Sequence, residues 1–293
     1  MTKILFLTIA LISLILLSPY SFACSTDGLS GFLPKNDLRI PAFAAKMFGG
    51  LSEEQFFGVI EKIETEYAPI FKNKGLSLSV DKDWADAEVN AFASMGERKS
   101  DRVIMMTGGL ARHTLMTEDA FALVLCHEVG HHIGGFPLIR TDWLTAEEGA
   151  DYFATLKCAR RIFLHDNNQK IVKSIKVPPV VQVACASAHK DLNDRAICIR
   201  TNAASQVLGQ FFALIPQPSA NPKFETPDRS VAARTNMSYG SDQCRLDTFF
   251  QGSLCEKSFN EDVSDSDELK GACHGKTGHT VGLRPLCWFR PKA

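Results

Sequence analysis

The segment His127-Glu128-Val129-Gly130-His131 constrains this chain more than any other part of its sequence. In an α-helix, side chains four residues apart lie one turn above each other, so both imidazoles can bind one tetrahedral Zn²⁺ from the same side. Glu128 would then lie next to the metal, where a carboxylate can accept a proton from an attacking water. A five-residue pattern is weak support on its own, so the surrounding sequence has to carry the interpretation.

Residues 1–23 have the composition of a secretory signal peptide, with an apolar run and small residues at Ser21 and Ala23. The alternative is a membrane anchor, but a run of roughly 14 apolar residues is shorter than the ~20 that span a bilayer. Cleavage after Ala23 would make Cys24 the first residue, which raises the alternative of a lipid anchor there. Ser21 counts against lipidation, because lipoprotein signals usually carry Leu or a similar residue three positions before the cysteine. The segment predicts export to the periplasm or the extracellular space, and attachment as a lipoprotein stays open.

Cysteine usage agrees with an oxidising destination, since the chain has nine cysteines. The cysteines other than Cys24 are Cys126, Cys158, Cys185, Cys198, Cys244, Cys255, Cys273 and Cys287. They are widely spaced and include no Cys-x-x-Cys pair, which favours up to four disulfides over a zinc site. The sequence does not select a pairing. Cys126 could be a buried free thiol, or it could join its helix to the next one through Cys158.

Composition excludes several classes of partner. The net charge is −1 at pH 7, and such a balance gives no electrostatic footprint for nucleic acid or for an anionic membrane surface. Hydrophobic residues make up 45% of the chain, which is enough for one sizeable core. No second apolar run is long enough to span a bilayer, so we expect no transmembrane helix in the mature chain.

Local patterns predict the elements that precede the histidine pair. Ser52-Glu53-Glu54-Gln55 is a capping box that opens a helix, and Pro69 is the predicted end of that helix. Residues 76–80 alternate as a half-buried strand, and residues 102–107 have the composition of another strand.

The histidine pair lies on a helix that we expect to be central. Thr117 can cap its start, and Gly134-Gly135 ends it. The segment between them is apolar on most sides, which is typical of a buried helix. His132 lies about 100° around the helix from His131, so it is predicted to face solvent or a neighbouring group rather than the metal.

The next helix supplies a candidate third ligand. Thr145-Ala146-Glu147-Glu148 has the pattern of a second capping box, in which Glu148 would fold back onto the cap and leave Glu147 free. Glu147 and Asp151 share one helical face, one turn apart. An acid behind a carboxylate ligand is typical of zinc sites, where it holds a ligating histidine through its other ring nitrogen. The alternative is that these acids only favour a helix N-terminus.

Together these segments resemble the gluzincin family of the CAAX prenyl endopeptidases, mitochondrial Oma1 and periplasmic BepA-type proteases. The resemblance covers roughly residues 50 to 165 and is carried, in the family's order, by residues 89–93, 107–110, 123–132 and 147–152. The chain lacks the transmembrane helices of the integral-membrane branch, so prenyl-protein processing is not expected. It is most similar to the soluble exported branch.

The resemblance implies a set of roles. His127, His131 and Glu147 would bind one Zn²⁺ per chain, Glu128 would be catalytic, and Asp151 would support the ligands from behind. It also implies that the strand at 102–107 is a sheet edge where an extended substrate pairs through its backbone, at Val103, Ile104, Met105 and Met106.

A peptidase would also need a donor for the oxyanion that forms on the scissile carbonyl. Tyr152, His189 and Tyr239 are all candidates, and the sequence does not choose among them.

We therefore expect an α+β fold with a zincin-like metalloprotease core, in which the active-site helices pack on a small mixed sheet. The predicted organisation is a signal peptide at residues 1–23, a catalytic domain at 24–215 and a disulfide-rich C-terminal extension at 216–293. The expected function is zinc-dependent hydrolysis of peptide bonds in exported or envelope proteins. The alternative is a non-proteolytic envelope assembly or binding protein that retains zinc for stability, against which the intact Glu128 argues.

Overall fold

The computed structural model describes residues 31–44, 49–139, 143–215 and 219–292. The predicted signal peptide and Cys24 lie outside these residues, so cleavage, export and lipid attachment stay predictions. Within the described residues the fold is mixed α and β, with a small sheet and helices packed around a buried central helix.

Three strands form the sheet: β1 (Ser77–Asp83), β2 (Ala91–Met95) and β3 (Asp101–Thr107), in the order β1-β3-β2. β1 pairs with β3 in parallel, and β2 pairs with β3 in the antiparallel direction. The two predicted strands are therefore present. β2 was not predicted from its residue pattern, although part of it carried the family resemblance.

β3 is the central strand, so the prediction that Val103, Ile104, Met105 and Met106 form the substrate-binding edge is wrong. Val103 pairs with Ser79 on one side and with Ser94 on the other. The alternation of residues along a strand indicates which face is buried, but it does not indicate which strands pair with its two edges. The central position of β3 could therefore not be predicted from its own residues. The edge nearer the histidine helix belongs to β2.

The helices are α1 (Glu53–Asn73), α2 (Gly108–Ala111), α3 (Glu118–Ile133), α4 (Glu147–Phe153), α5 (Ala159–Ile162), α6 (Asn168–Ile171), α7 (Pro179–Ala188), α8 (Leu192–Phe212) and α9 (Asp242–Leu254). A π-helical turn, Ala154–Cys158, joins α4 to α5. Short 3-10 turns lie at Ala42–Ala44, Val172–Ser174 and Gly275–Thr277.

The capping box at the start of α1 is confirmed. The Ser52 hydroxyl accepts from the backbone N–H of Gln55, and the Gln55 side chain accepts from the backbone N–H of Ser52. The helix continues beyond Pro69 to Asn73, so its predicted end was one turn too early. Phe71 in this last turn is fully buried, and its burial stabilises the extension.

α3 is the buried central helix that the sequence predicted. Thr117 caps its N-terminus by accepting from the N–H of Ala120, and Gly134 is its C-cap residue. Every residue from Ala120 to His132 is buried, between the sheet, α1, α4 and α8. The histidines therefore project from a rigid element with fixed neighbours.

The cysteines pair as four disulfides, which join Cys126 to Cys158, Cys185 to Cys198, Cys244 to Cys287 and Cys255 to Cys273. The alternative in which Cys126 joins its helix to the following one is the arrangement found. Cys244 and Cys287 also lie near Asp228, but sulfurs joined to each other cannot act as thiolate ligands for a metal. This pairing is compatible with an oxidising compartment.

The C-terminal part of the chain lies directly on the predicted catalytic part. α9 packs against both α8 and α4. The disulfide between Cys244 and Cys287 holds later residues to α9, and the disulfide between Cys255 and Cys273 holds them to the residue that caps its C-terminus. The predicted domain boundary at residue 216 stays a prediction. Among the described residues, no helix has the length and apolar character needed to cross a membrane.

Candidate metal centre and active site

The histidine pair presents two ring nitrogens to one point. The ring centroids of His127 and His131 lie 4.5 Å apart with their planes at 86°. Nδ1 of His131 donates to the Thr145 carbonyl oxygen at 2.8 Å, and Nδ1 of His127 donates to the Asp151 carboxylate at 2.7 Å. Because carbonyl and carboxylate oxygens accept, both Nδ1 atoms carry protons, and each Nε2 is the atom left for a metal.

Glu147 joins this pair from the first residue of α4. Its Oε2 lies 3.5 Å from Nε2 of His127, and its Oε1 lies 3.9 Å from Nε2 of His131. The two helices can approach this closely because Gly130 has no side chain. A Cβ at Gly130 would lie 2.9 Å from the carbonyl oxygen of Ala150. The glycine inside the histidine motif therefore sets the distance between the ligand-bearing helices.

The donor set fits zinc. Nε2 of both histidines and both carboxylate oxygens of Glu147 are buried without a hydrogen-bond partner, and the three residues have ligand atoms within 4.8 Å of one another. Ligands about 2.0–2.1 Å from a tetrahedral Zn²⁺ lie roughly 3.3 Å apart, close to the separations found here. Buried polar atoms left without partners need a compensating group, and a cation between them provides one.

The predicted capping box at α4 is wrong. The N-cap is Ala146, which makes no side-chain hydrogen bond to the helix, and the Thr145 hydroxyl instead donates to the Gly135 carbonyl at 2.9 Å. Glu148 does not fold back onto the cap; its carboxylate is buried without a hydrogen-bond partner. Burial raises the pKa of Glu148 to about 8, so it is mostly neutral at pH 7. The N-terminus of α4 was set by tertiary packing, because the Thr145 hydroxyl bonds to Gly135 instead of capping the helix.

Asp151 connects the metal ligands to the C-terminal part of the chain. One oxygen accepts from His127, and both accept from Arg245 on α9, at 2.8 and 2.9 Å. All three side chains are buried. This chain of charged hydrogen bonds fixes the orientation of the His127 ring.

The same contacts set the charges around His127. Burial disfavours its charged form, but the Asp151 carboxylate outweighs burial and raises the pKa of His127 to about 9, with smaller contributions from Glu147 and Glu128. Burial would raise the pKa of Asp151, but Arg245 and His127 hold it below its ordinary value. Arg245 keeps its charge, because Asp151 raises its pKa in spite of burial.

The other two ligands are biased toward neutral forms before metal binds. Burial, together with neighbouring His127, holds the pKa of His131 well below its ordinary value. Burial also raises the pKa of Glu147. A bound cation would reverse the balance at Glu147, because it stabilises the carboxylate that burial disfavours.

The remaining predicted residues divide into two groups. Glu128 is fully buried beside His127 and close enough to contribute to its pKa. His132 is also buried and faces a neighbouring group rather than solvent, which is one of the two predicted alternatives. Its ring stacks on Trp143 with centroids 5.4 Å apart, and its Nε2 lies 3.3 Å from the Val103 carbonyl oxygen.

Of the three candidate oxyanion donors, Tyr239 is the one that contacts Arg245, the partner of Asp151. The Tyr152 hydroxyl donates to the Gly282 carbonyl, and His189 bonds to the Ser253 carbonyl, both within the C-terminal packing. Tyr239 instead packs its ring beneath the Arg245 guanidinium, 5.6 Å away, and its hydroxyl donates to the Gly31 carbonyl.

Sequence reasoning missed Arg245 and the short segment around Phe32. Phe32 is fully buried, with its ring centroid 5.1 Å from that of His127. The apolar triplet that contains Phe32 had no periodic pattern around it, and Arg245 is one basic residue among many. A capped helix at 242–254 with an arginine on its first turn was the one local signal available.

Comparison with known proteins agrees with this site. Residues 61–195 match the sequence profile of Peptidase family M48, a span that includes the histidine pair, Glu147 and Asp151. The match supports a zinc metallopeptidase family; that family depends on a metal, typically zinc, and a peptidase implies a protein or peptide substrate. Searches of curated proteins and of solved structures found no match.

Proposed function

We propose that this chain is a zinc-dependent endopeptidase that hydrolyses peptide bonds in exported or envelope proteins. The observation that carries the proposal is the convergence of His127 Nε2, His131 Nε2 and the Glu147 carboxylate, all buried and without other hydrogen bonds. Three protein ligands leave one tetrahedral position open, which is typical of a catalytic zinc site.

Zinc, when held there, supplies a Lewis acid that polarises the scissile carbonyl. Glu128 acts as the general base: it accepts a proton from the attacking water and passes it to the leaving amine. Asp151 holds the His127 ring in orientation, and Arg245 keeps Asp151 charged. Tyr239 donates its hydroxyl hydrogen to the carbonyl oxygen on which negative charge develops.

The disulfides support the assignment of substrates to an oxidising compartment, because four pairs persist only where thiols are not kept reduced. Backbone pairing of an extended substrate is proposed for the outer edge of β2 rather than for β3. β2 is the outer strand of the sheet on the side of α3.

The test compares wild-type protein with Glu128→Gln and with Glu118→Gln, a control at an exposed position on the same helix. Zinc content is measured together with cleavage of unfolded casein, with and without a chelator. We expect all three proteins to hold one zinc, and only Glu128→Gln to lose turnover, by roughly 10² to 10⁴-fold. Zinc-loaded wild type that cleaves nothing in a broad peptide library would overturn the proposal in favour of a binding protein.

A further inference from the structure

The segment Gly31–Leu33 lies against the outer edge of β2, with hydrogen bonds to the first residue of that strand and to the residue before it. The N–H of Phe32 donates to the carbonyl oxygen of Ala91 at 2.8 Å. The N–H of Leu33 donates to the Asn90 side chain at 2.9 Å, and that side chain donates back to the Leu33 carbonyl at 3.1 Å. Addition of an extended segment to a sheet edge is a general way of binding peptides, with main-chain hydrogen bonds for affinity.

This segment also touches the catalytic side chains. The Phe32 carbonyl accepts from Arg245 at 2.9 Å, and the Gly31 carbonyl accepts from the Tyr239 hydroxyl. The Phe32 ring meets His127 edge-on, 5.1 Å between centroids. Two consecutive backbone carbonyls of the segment are thus held by polar groups of the centre, as the carbonyls of a bound substrate need to be.

We propose that Gly31–Leu33 occupies the substrate cleft in the register of an extended substrate, and that the enzyme acts only when this segment leaves. This inference rests on the proposed peptidase function for the identity of the cleft. The segment is an intramolecular inhibitor: it uses the edge hydrogen bonds at Ala91 and Asn90 that an incoming peptide would need.

The site that holds the Phe32 side chain also indicates which substrate residue the cleft prefers. The Phe32 side chain fills a site formed by the rings of Phe212 and His127, with the Arg245 guanidinium over its face at 5.0 Å. This site is closed and largely apolar, with a cation that interacts favourably with an aromatic face. We expect substrates to place a large apolar residue, preferably aromatic, in it.

Gly31 offers a way to remove the segment without touching the catalytic groups. A Cβ at Gly31 would collide with the carbonyl oxygen of Ala91 and the side chain of Asn90, so Gly31→Ala cannot keep the edge pairing. Gly275 provides a matched control, because a Cβ there meets nothing within 4 Å and its φ is not positive.

The experiment uses the full chain as wild type, Gly31→Ala and Gly275→Ala, all metal-free. Amide hydrogen exchange is measured at Phe32 and Leu33, and binding is measured for the labelled peptide acetyl-Gly-Phe-Leu-Pro-Lys, which copies residues 31–35. We expect faster exchange and at least roughly tenfold tighter peptide binding in Gly31→Ala alone, because a competent cleft becomes populated. The zinc-loaded Gly31→Ala protein should also show a raised kcat/KM toward peptides with a central aromatic residue.

The outcomes separate the inference from the proposed function. Equal exchange and equal peptide affinity in all three proteins would overturn the inference, whatever the activity. Tighter peptide binding in Gly31→Ala without cleavage by any zinc-loaded variant would support the occupied cleft and overturn the peptidase assignment. Thermal melting of each variant identifies a folding defect, and in that case Phe32→Leu, which weakens the aromatic contacts but keeps an apolar side chain, replaces Gly31→Ala.

Discussion

The guanidinium of Arg245 lies 2.8 Å from the carboxylate of Asp151, although 94 residues separate them in the chain. Asp151 in turn orients His127, so a residue of the C-terminal helix α9 determines how a predicted metal ligand is presented. The metal centre therefore depends on the C-terminal part of the chain.

Arg245→Ala should weaken both the fold and the metal site. Loss of the guanidinium leaves Asp151 as a buried charge with one partner fewer, which costs about 3–5 kcal/mol of unfolding free energy. Zinc affinity should fall roughly 10 to 100-fold, as it does when an outer partner of a ligand is removed. Arg200→Ala is the control, because Arg200 is a similarly buried arginine that pairs with Asp119 and Asp166 away from the site. Competition with a chelator measures affinity, and equal zinc affinity in both variants would contradict the role of Arg245.

Adjacent glutamates allow a direct test of the third ligand. Glu147→Gln should lose stoichiometric zinc on dialysis, whereas Glu148→Gln should keep it. The pKa of Glu148 is raised to about 8 by burial, so its carboxylate destabilises the fold progressively as pH rises from about 4.5 and fully above about 8. Glu148→Gln should therefore be at least as stable as wild type at pH 7, by thermal melting. Retention of zinc in Glu147→Gln and its loss in Glu148→Gln would reverse the assignment.

Zinc affinity should increase with pH. Below about pH 9, metal-free His127 carries a second proton, on Nε2, in addition to the one on Nδ1. Zinc has to displace this second proton in order to bind. The apparent dissociation constant should fall roughly tenfold per pH unit between 6 and 8 and level off above about 9. Asp151→Asn removes the charge that raises this pKa, so its profile should shift to lower pH. A profile that is flat from pH 6 to 8 in wild type would show that no ligand has to lose a proton.

The disulfide between Cys126 and Cys158 should stabilise the pair of helices that carry the ligands. It joins α3, one residue before His127, to the π-helical turn after α4. The double variant Cys126→Ala, Cys158→Ala should lose about 2–4 kcal/mol of unfolding free energy in denaturant titrations. The double variant at Cys185 and Cys198, outside the site, is the control; it should lose stability but keep wild-type zinc affinity. Free thiols at these positions in natively exported protein would contradict the pairing.

Much of the metal centre was determined by the sequence itself, because its residues come in pairs that are only four positions apart in the chain. His127 and His131 are one helical turn apart, and Glu147 and Asp151 repeat that spacing on the next helix, so periodicity alone brings each pair onto one face. The capping of α1 and α3 was predictable for the same reason, since a cap involves only three or four consecutive residues.

Tertiary structure decided everything that depends on distant partners. Val103 lies in the centre of the sheet because β1 and β2 both pair with β3, and no local pattern shows which strands become neighbours. The N-terminus of α4 uses Thr145 for a loop contact rather than for a cap. Arg245 reaches Asp151 only when α9 packs against α4 and α8, and Phe32 reaches His127 only when its segment packs against β2. Such contacts depend on packing between elements and not on the spacing within one.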